Sequence, residues 1–199
     1  MLRFASVFPL LLVCCIQAAA ADDADNWPQW RGPEGAGSVE RGSYPAEWTA
    51  DNVLWKSALP GKGCSTPIVW QNQIFVTAPI EGVDALIAFD LAGKELWQAK
   101  FDEESPGKHR NGSGANASPV TDGDTVFVYF KSGTLAAVGL DGNIRWQTNL
   151  IDRFGPDTLF WDHGTSPVLT EKYVVMTRLH NGESWIAAFD KVSGELKWK

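Results

Sequence analysis

Three stretches of the chain open alike: Thr66-Pro67-Ile68-Val69, Ser118-Pro119-Val120-Thr121 and Ser166-Pro167-Val168-Leu169. Each is a small polar residue, a proline and a pair of strand formers, with Thr121 the one polar member of a pair. They also close alike, on Gly-x-x-x-Trp: Gly93 to Trp97, Gly142 to Trp146 and Gly194 to Trp198. The prolines stand 52 and then 48 residues apart, and the closing tryptophans 49 and then 52. Self-similarity at about 50 residues implies a propeller or a solenoid, and it constrains the fold more than any single motif.

Inside each copy, short apolar runs alternate with turn residues. The first copy predicts strands at 68–70, 73–78, 86–90 and 95–99, with Gln71-Asn72 and Leu91-Ala92-Gly93-Lys94 as turns. The second predicts strands at 125–130, 134–140 and 144–148 after Asp122-Gly123, Ser132-Gly133 and Asp141-Gly142. Glycine tolerates the positive φ that a tight hairpin needs. The third copy predicts 173–178, 185–190 and 195–199. Four short antiparallel strands per unit make one propeller blade. No helical apolar period of useful length follows residue 21. The expected class is all-β, a propeller with about three blades and an incomplete ring: 64–100, 116–149 and 165–199.

The N-terminus reads as a signal peptide over 1–21. Arg3 supplies the positive charge, Phe4–Ile16 an apolar core too short to span a bilayer, and Ala18–Ala21 the small residues of a cleavage site. Lipidation at Cys14 or Cys15 is the alternative. The chain is therefore expected to be exported, periplasmic or extracellular, with no transmembrane segment. Only Cys64 lies beyond residue 21, so no intramolecular disulfide is expected in the mature chain. A net charge of −7 gives no basic footprint for nucleic acid.

Residues 22–63 form a Trp- and Gly-rich segment. Trp27, Trp30 and Trp48 are expected to cover a core edge. Asn52–Lys56 repeats the ending of the later copies, with Trp55 at the position of Trp97, and reads as a closing strand without its own blade.

Ala85–Trp97, with Phe89-Asp90 and Gly93-Lys94-Glu95-Leu96-Trp97, resembles the repeat of PQQ-binding-like (quinoprotein-type) β-propellers. Phe189-Asp190 with Gly194–Trp198 is similar, and Asn26–Pro33 resembles the start of exported bacterial members of the BamB-like type. One departure is Gly139, which stands where Asp90 and Asp190 stand. The resemblance implies a ring of seven or eight blades, of which this chain would be a part. Quinoprotein dehydrogenases of this group bind PQQ and calcium with an adjacent-cysteine disulfide and a set of acidic and amide ligands. The one adjacent cysteine pair here is Cys14-Cys15, and no ligand set can be placed residue by residue. Other relatives keep the repeat without the cofactor and work through protein contacts. No cofactor is therefore required by these residues, and PQQ with calcium is the alternative.

Blade-to-blade loops 101–115 and 150–164 are expected to gather on one face, where binding occurs. They and their flanks supply the candidates His109, Arg110, Asn116, Trp161, Asp162 and His163. Asp162-His163 invites an acid–base pair, but a loop histidine fits better. His109 reads as part of a solvated charge run, and a metal site from both histidines has no ligand spacing behind it. Asp122-Gly-Asp124 and Asp141-Gly-Asn143 read as turns rather than calcium loops. The expected function is a non-catalytic module that binds a protein or polysaccharide partner. The alternative is part of a PQQ-dependent alcohol or sugar oxidoreductase.

Trp55, Trp97, Trp146 and Trp198 are expected to pack between neighbouring blades. One such ring contributes about 2–3 kcal/mol, against about 1–2 kcal/mol of entropy for every residue ordered. A blade thus needs neighbours on both faces. Self-association through open edges is the expected consequence.

Overall fold

The computed structural model describes residues 26–39, 42 and 44–199. The expected signal peptide lies outside them. Three four-stranded antiparallel sheets follow one another, each meandering in sequence order. The first holds β1 (Ile68–Trp70), β2 (Gln73–Ile80), β3 (Val83–Asp90) and β4 (Glu95–Glu103). The second holds β5 (Val120–Thr121), β6 (Thr125–Tyr129), β7 (Thr134–Gly139) and β8 (Ile144–Asn149). The third holds β9 (Val168–Leu169), β10 (Tyr173–Arg178), β11 (Trp185–Asp190) and β12 (Leu196–Trp198). This is the blade architecture of a partial propeller.

Strand burial shows how the sheets stack. All five residues of β6 are buried, because both faces have a neighbour. Val126 and Val128 join Ile68, Phe75 and Leu86 in one core, while Phe127 and Tyr129 join Val174, Met176 and Phe189 in another. β10 instead alternates, with Val174, Met176 and Arg178 buried and the residues between them half-exposed. Its second face is open, and Val168, Ile186 and Trp198 lie exposed on the third sheet.

The repeated closing motif has a physical cause. In all three sheets the register slips just before the tryptophan, so that Leu96, Arg145 and Lys197 are skipped. A bulge there re-aims the ring. Trp97 and Trp146 then lie on the turn glycine of the following sheet, whereas Trp198, expected between blades, is 46% exposed because the third sheet has no described sheet after it. A Cβ on Gly142 would sit 2.8 Å from Trp97, and one on Gly194 2.6 Å from Trp146. The indole N–H caps the same turn: Trp97 Nε1 donates to Leu140 O at 3.0 Å and Trp146 Nε1 to Lys191 O at 2.8 Å.

The opening motif is explained similarly. Thr66 N donates to Ser118 Oγ at 3.0 Å, and Ser118 N to Ser166 Oγ at 2.9 Å. The hydroxyl before the second and third prolines thus satisfies the amide before the preceding proline, and the three openings are tied in series.

Several expectations are corrected. Residues 52–56 form no strand: Ala50–Asn52 is a 3-10 turn and the chain beyond it is irregular, because among the described residues no strand pairs with it. Trp55 nevertheless packs on Gly93 and donates to Leu91 O at 2.8 Å, as the later tryptophans do. β2, β3 and β4 run longer than predicted, around a tight hairpin at Glu81-Gly82 where both φ are positive. The opposite error occurs at the third copy, where β12 is shorter than 195–199. Loop 150–164 contains a short helix, α1 (Leu150–Phe154), capped by Asn149 and anchored by buried Leu150. Trp27 is half-buried and bonds Val69 through both backbone groups, but Trp30 and Trp48 are 58% and 71% exposed and cover no core. At the turn where Gly139 replaces aspartate, Asp141 Oδ1 accepts from Asn143 N at 3.1 Å and supplies a contact from two residues on.

Candidate functional site

The two inter-blade loops meet at Asp162. Its carboxylate accepts from Lys108 N at 2.8 Å, from His109 N at 3.1 Å and from Lys131 Nζ at 2.8 Å. Gly112 makes the approach possible, since a Cβ there would lie 2.3 Å from Asp162 Oδ2. Burial alone would raise this carboxyl group; the Lys131 ammonium and the two amides outweigh it and hold it at about 2. Lys108 Nζ reaches across to Leu159 O at 2.7 Å.

Clamped this way, the loops present aromatic groups outward. Phe160 and Trp161 are 75% and 64% exposed. Their rings meet edge to face at 4.8 Å, and His109 stands against Trp161 at 6.1 Å. With Thr158 and Asn181 they line a groove of about 660 Å³.

His163 points the other way. It is buried, with its ring against Tyr129 at 5.5 Å, and its carbonyl accepts from Asn116 Nδ2 at 3.3 Å. Burial lowers its pKa, nearby Asp157 opposes this, and the Arg178 cation adds to the lowering. Asn116 closes a local turn through Ser113. The six candidates therefore form one loop cluster but not one chemical set. His109, Arg110 and Trp161 face outward, Asp162 is the clamp, and Asn116 and His163 hold the interior. Phe160, Lys62 and Asn181 were not singled out from the sequence. Phe160 beside Trp161 in a polar loop was the signal available.

A second cavity, of about 400 Å³, sits where the sheets' opening residues converge. Thr66, Ser118 and Ser166 line it together with Trp30, Cys64 and Asn116. PQQ is a tricarboxylate held with calcium. The lining offers hydroxyls, an amide and a thiol, but no carboxylate for a calcium ion and no cation for the quinone's acids. These residues do not fit that group.

A family profile described as "Outer membrane protein assembly factor BamB" matches residues 46–199. The chain belongs to this family. Two solved structures are similar to this BamB-family chain. BamB from Moraxella catarrhalis is 15% identical, with a TM-score of 0.48 over 72% of this chain and 40% of that one. A europium-containing methanol dehydrogenase is 14% identical, with a TM-score of 0.47 over 66% and 23%. The chain thus spans less than half the length of either. Among curated proteins, none matches it.

The clamp in this BamB-family chain is open to test. Asp162→Asn keeps the shape of the side chain but loses its charge. The Lys108 and His109 amides are expected to exchange about tenfold faster, with β6 and β7 unchanged. Unchanged exchange at both amides would show that Asp162 does not organise the loops.

Proposed function

We propose that the chain is a non-catalytic, exported binding module that takes a protein or polysaccharide partner on its inter-blade loop face. The observation that carries this reading is the clamped loop pair with Phe160 and Trp161 held outward. Large apolar rings fixed in solvent mark interaction sites rather than core packing. The two groups that invited an acid–base reading are committed elsewhere: Asp162 to three donors, His163 to the blade interior. The family description, an outer-membrane assembly factor, supports a partner-binding role and a place in the cell envelope. Among the described residues, no helix is long and apolar enough to cross a membrane. The net charge of −7 supports a partner other than nucleic acid.

The competing reading needs PQQ and calcium. Adding both to the intact chain is expected to leave the quinone spectrum unshifted and to give no dye-linked oxidation of alcohols or sugars. Oxidation of either substrate class would overturn the binding-module reading.

A further inference from the structure

Beside the aromatic groove lies another cavity, of about 630 Å³, and the two share Lys108 and His109. Its lining includes Lys62 and Arg110. Lys62 Nζ donates to Arg110 O, and Lys108 Nζ to Leu159 O. Both partners are carbonyls, so neither cation is neutralised. Among the described residues, Lys62, Lys108 and Arg110 make no ion pair with a carboxylate. Of the two acids in the lining, Glu81 lies 3.7 Å from Lys100 and Glu104 is left. A chain with a net charge of −7 thus gathers three cations without ion pairs, against two acids in the same lining, next to two exposed aromatic rings.

We propose that these adjoining cavities bind an acidic polysaccharide. Sugar rings would stack their C–H faces on Trp161 and Phe160, and their carboxylates would meet Lys62, Lys108 and Arg110. The proposal rests on the loop face being the binding surface. The alternative occupant, an acidic peptide, is disfavoured by the walls. Pro60, Pro79 and Pro106 line the cationic cavity, and proline has no N–H to donate to an added strand. A glycan needs no such ladder. It needs flat apolar faces, fixed charges and a polar rim, here the Thr158 hydroxyl and the Asn181 amide.

Calorimetric titration of the intact chain tests this, with polygalacturonate, alginate, chondroitin sulfate, poly-glutamate and dextran as probes. At least one of the acidic glycans is expected to bind saturably and to weaken steeply between about 50 mM and about 500 mM salt. Trp161→Ala and Phe160→Ala are each expected to weaken it about tenfold with the melting temperature unchanged, since both rings are exposed. Arg110→Ala should weaken it and flatten the salt dependence. Failure of all three acidic glycans overturns the proposal. Poly-glutamate binding as tightly as the best glycan, and lost in Trp161→Ala, overturns it in favour of a peptide and leaves the loop-face reading standing. Dextran binding equally well overturns the role of the cations. The loop-face reading itself fails if a glycan binds but none of the three substitutions weakens it.

Discussion

Gly194→Ala is expected to destabilise the chain by about 2–5 kcal/mol. Two costs coincide. The backbone at Gly194 has φ of 70°, where a Cβ is unfavourable, and the added carbon would lie 2.6 Å from the Trp146 ring. Removing the ring relieves only the second. Trp146→Ala alone is expected to cost about 2–4 kcal/mol, because the ring is half-buried against Phe127 and its N–H holds the Lys191 carbonyl. In the double variant the two costs should therefore sum to less than their separate values, by about 1–3 kcal/mol. Trp198→Ala is the control: that ring is 46% exposed and should cost under about 1 kcal/mol. Urea unfolding of the four variants reads all of this. Strict additivity, or an equal cost at Trp198, would mean that the plates do not join the blades.

Asp84→Asn is expected to stabilise the chain at pH 8 by about 2–4 kcal/mol, and to have little effect near pH 4. Asp84 lies in β3, fully buried, with neither carboxylate oxygen in a hydrogen bond of ordinary geometry. Burial raises its pKa to about 7; the Ser132 hydroxyl opposes this, and the Glu104 and Asp102 carboxylates add to the rise. The direction of the pH effect follows. Between the unfolded value of 3.8 and about 7, the folded chain keeps a proton that the unfolded chain releases. Stability from this group is therefore greatest below 3.8, falls as pH rises to about 7, and is level above it. Asparagine removes the charge and with it the slope. Unfolding free energies measured at pH 8 and pH 4 decide the matter, and a gap of equal size at both would refute the assignment.

The sheets were readable because their signals are local. Asp-Gly and Ser-Gly turns and strand-forming runs each act within a few residues, and 173–178 and 185–190 fall where predicted. Features that depend on a neighbour were not readable. The predicted strands stop at 78 and resume at 86, yet β2 continues through Pro79 to the hairpin at Glu81-Gly82. The Asn52–Lys56 stretch carries a strand's residues but pairs with no strand among the described residues, and backbone hydrogen bonding in a sheet requires two partners.

The candidate loops show the same division. Their position between blades followed from the repeat, and so did their gathering on one face. Which side chains face solvent did not. Asp162 and His163 are neighbours in the chain, but one is drawn to the amides of residues 108 and 109 and the other to Tyr129, both far away in sequence. The sequence alone settled the repeat, the blade and the recurring tryptophans, because a period is a property of the chain itself. Only the tertiary structure decided that Trp97 and Trp146 rest on the next blade's glycine, and that one carboxylate ties two loops into a surface, because both are contacts between segments whose spacing in sequence carries no trace of their meeting.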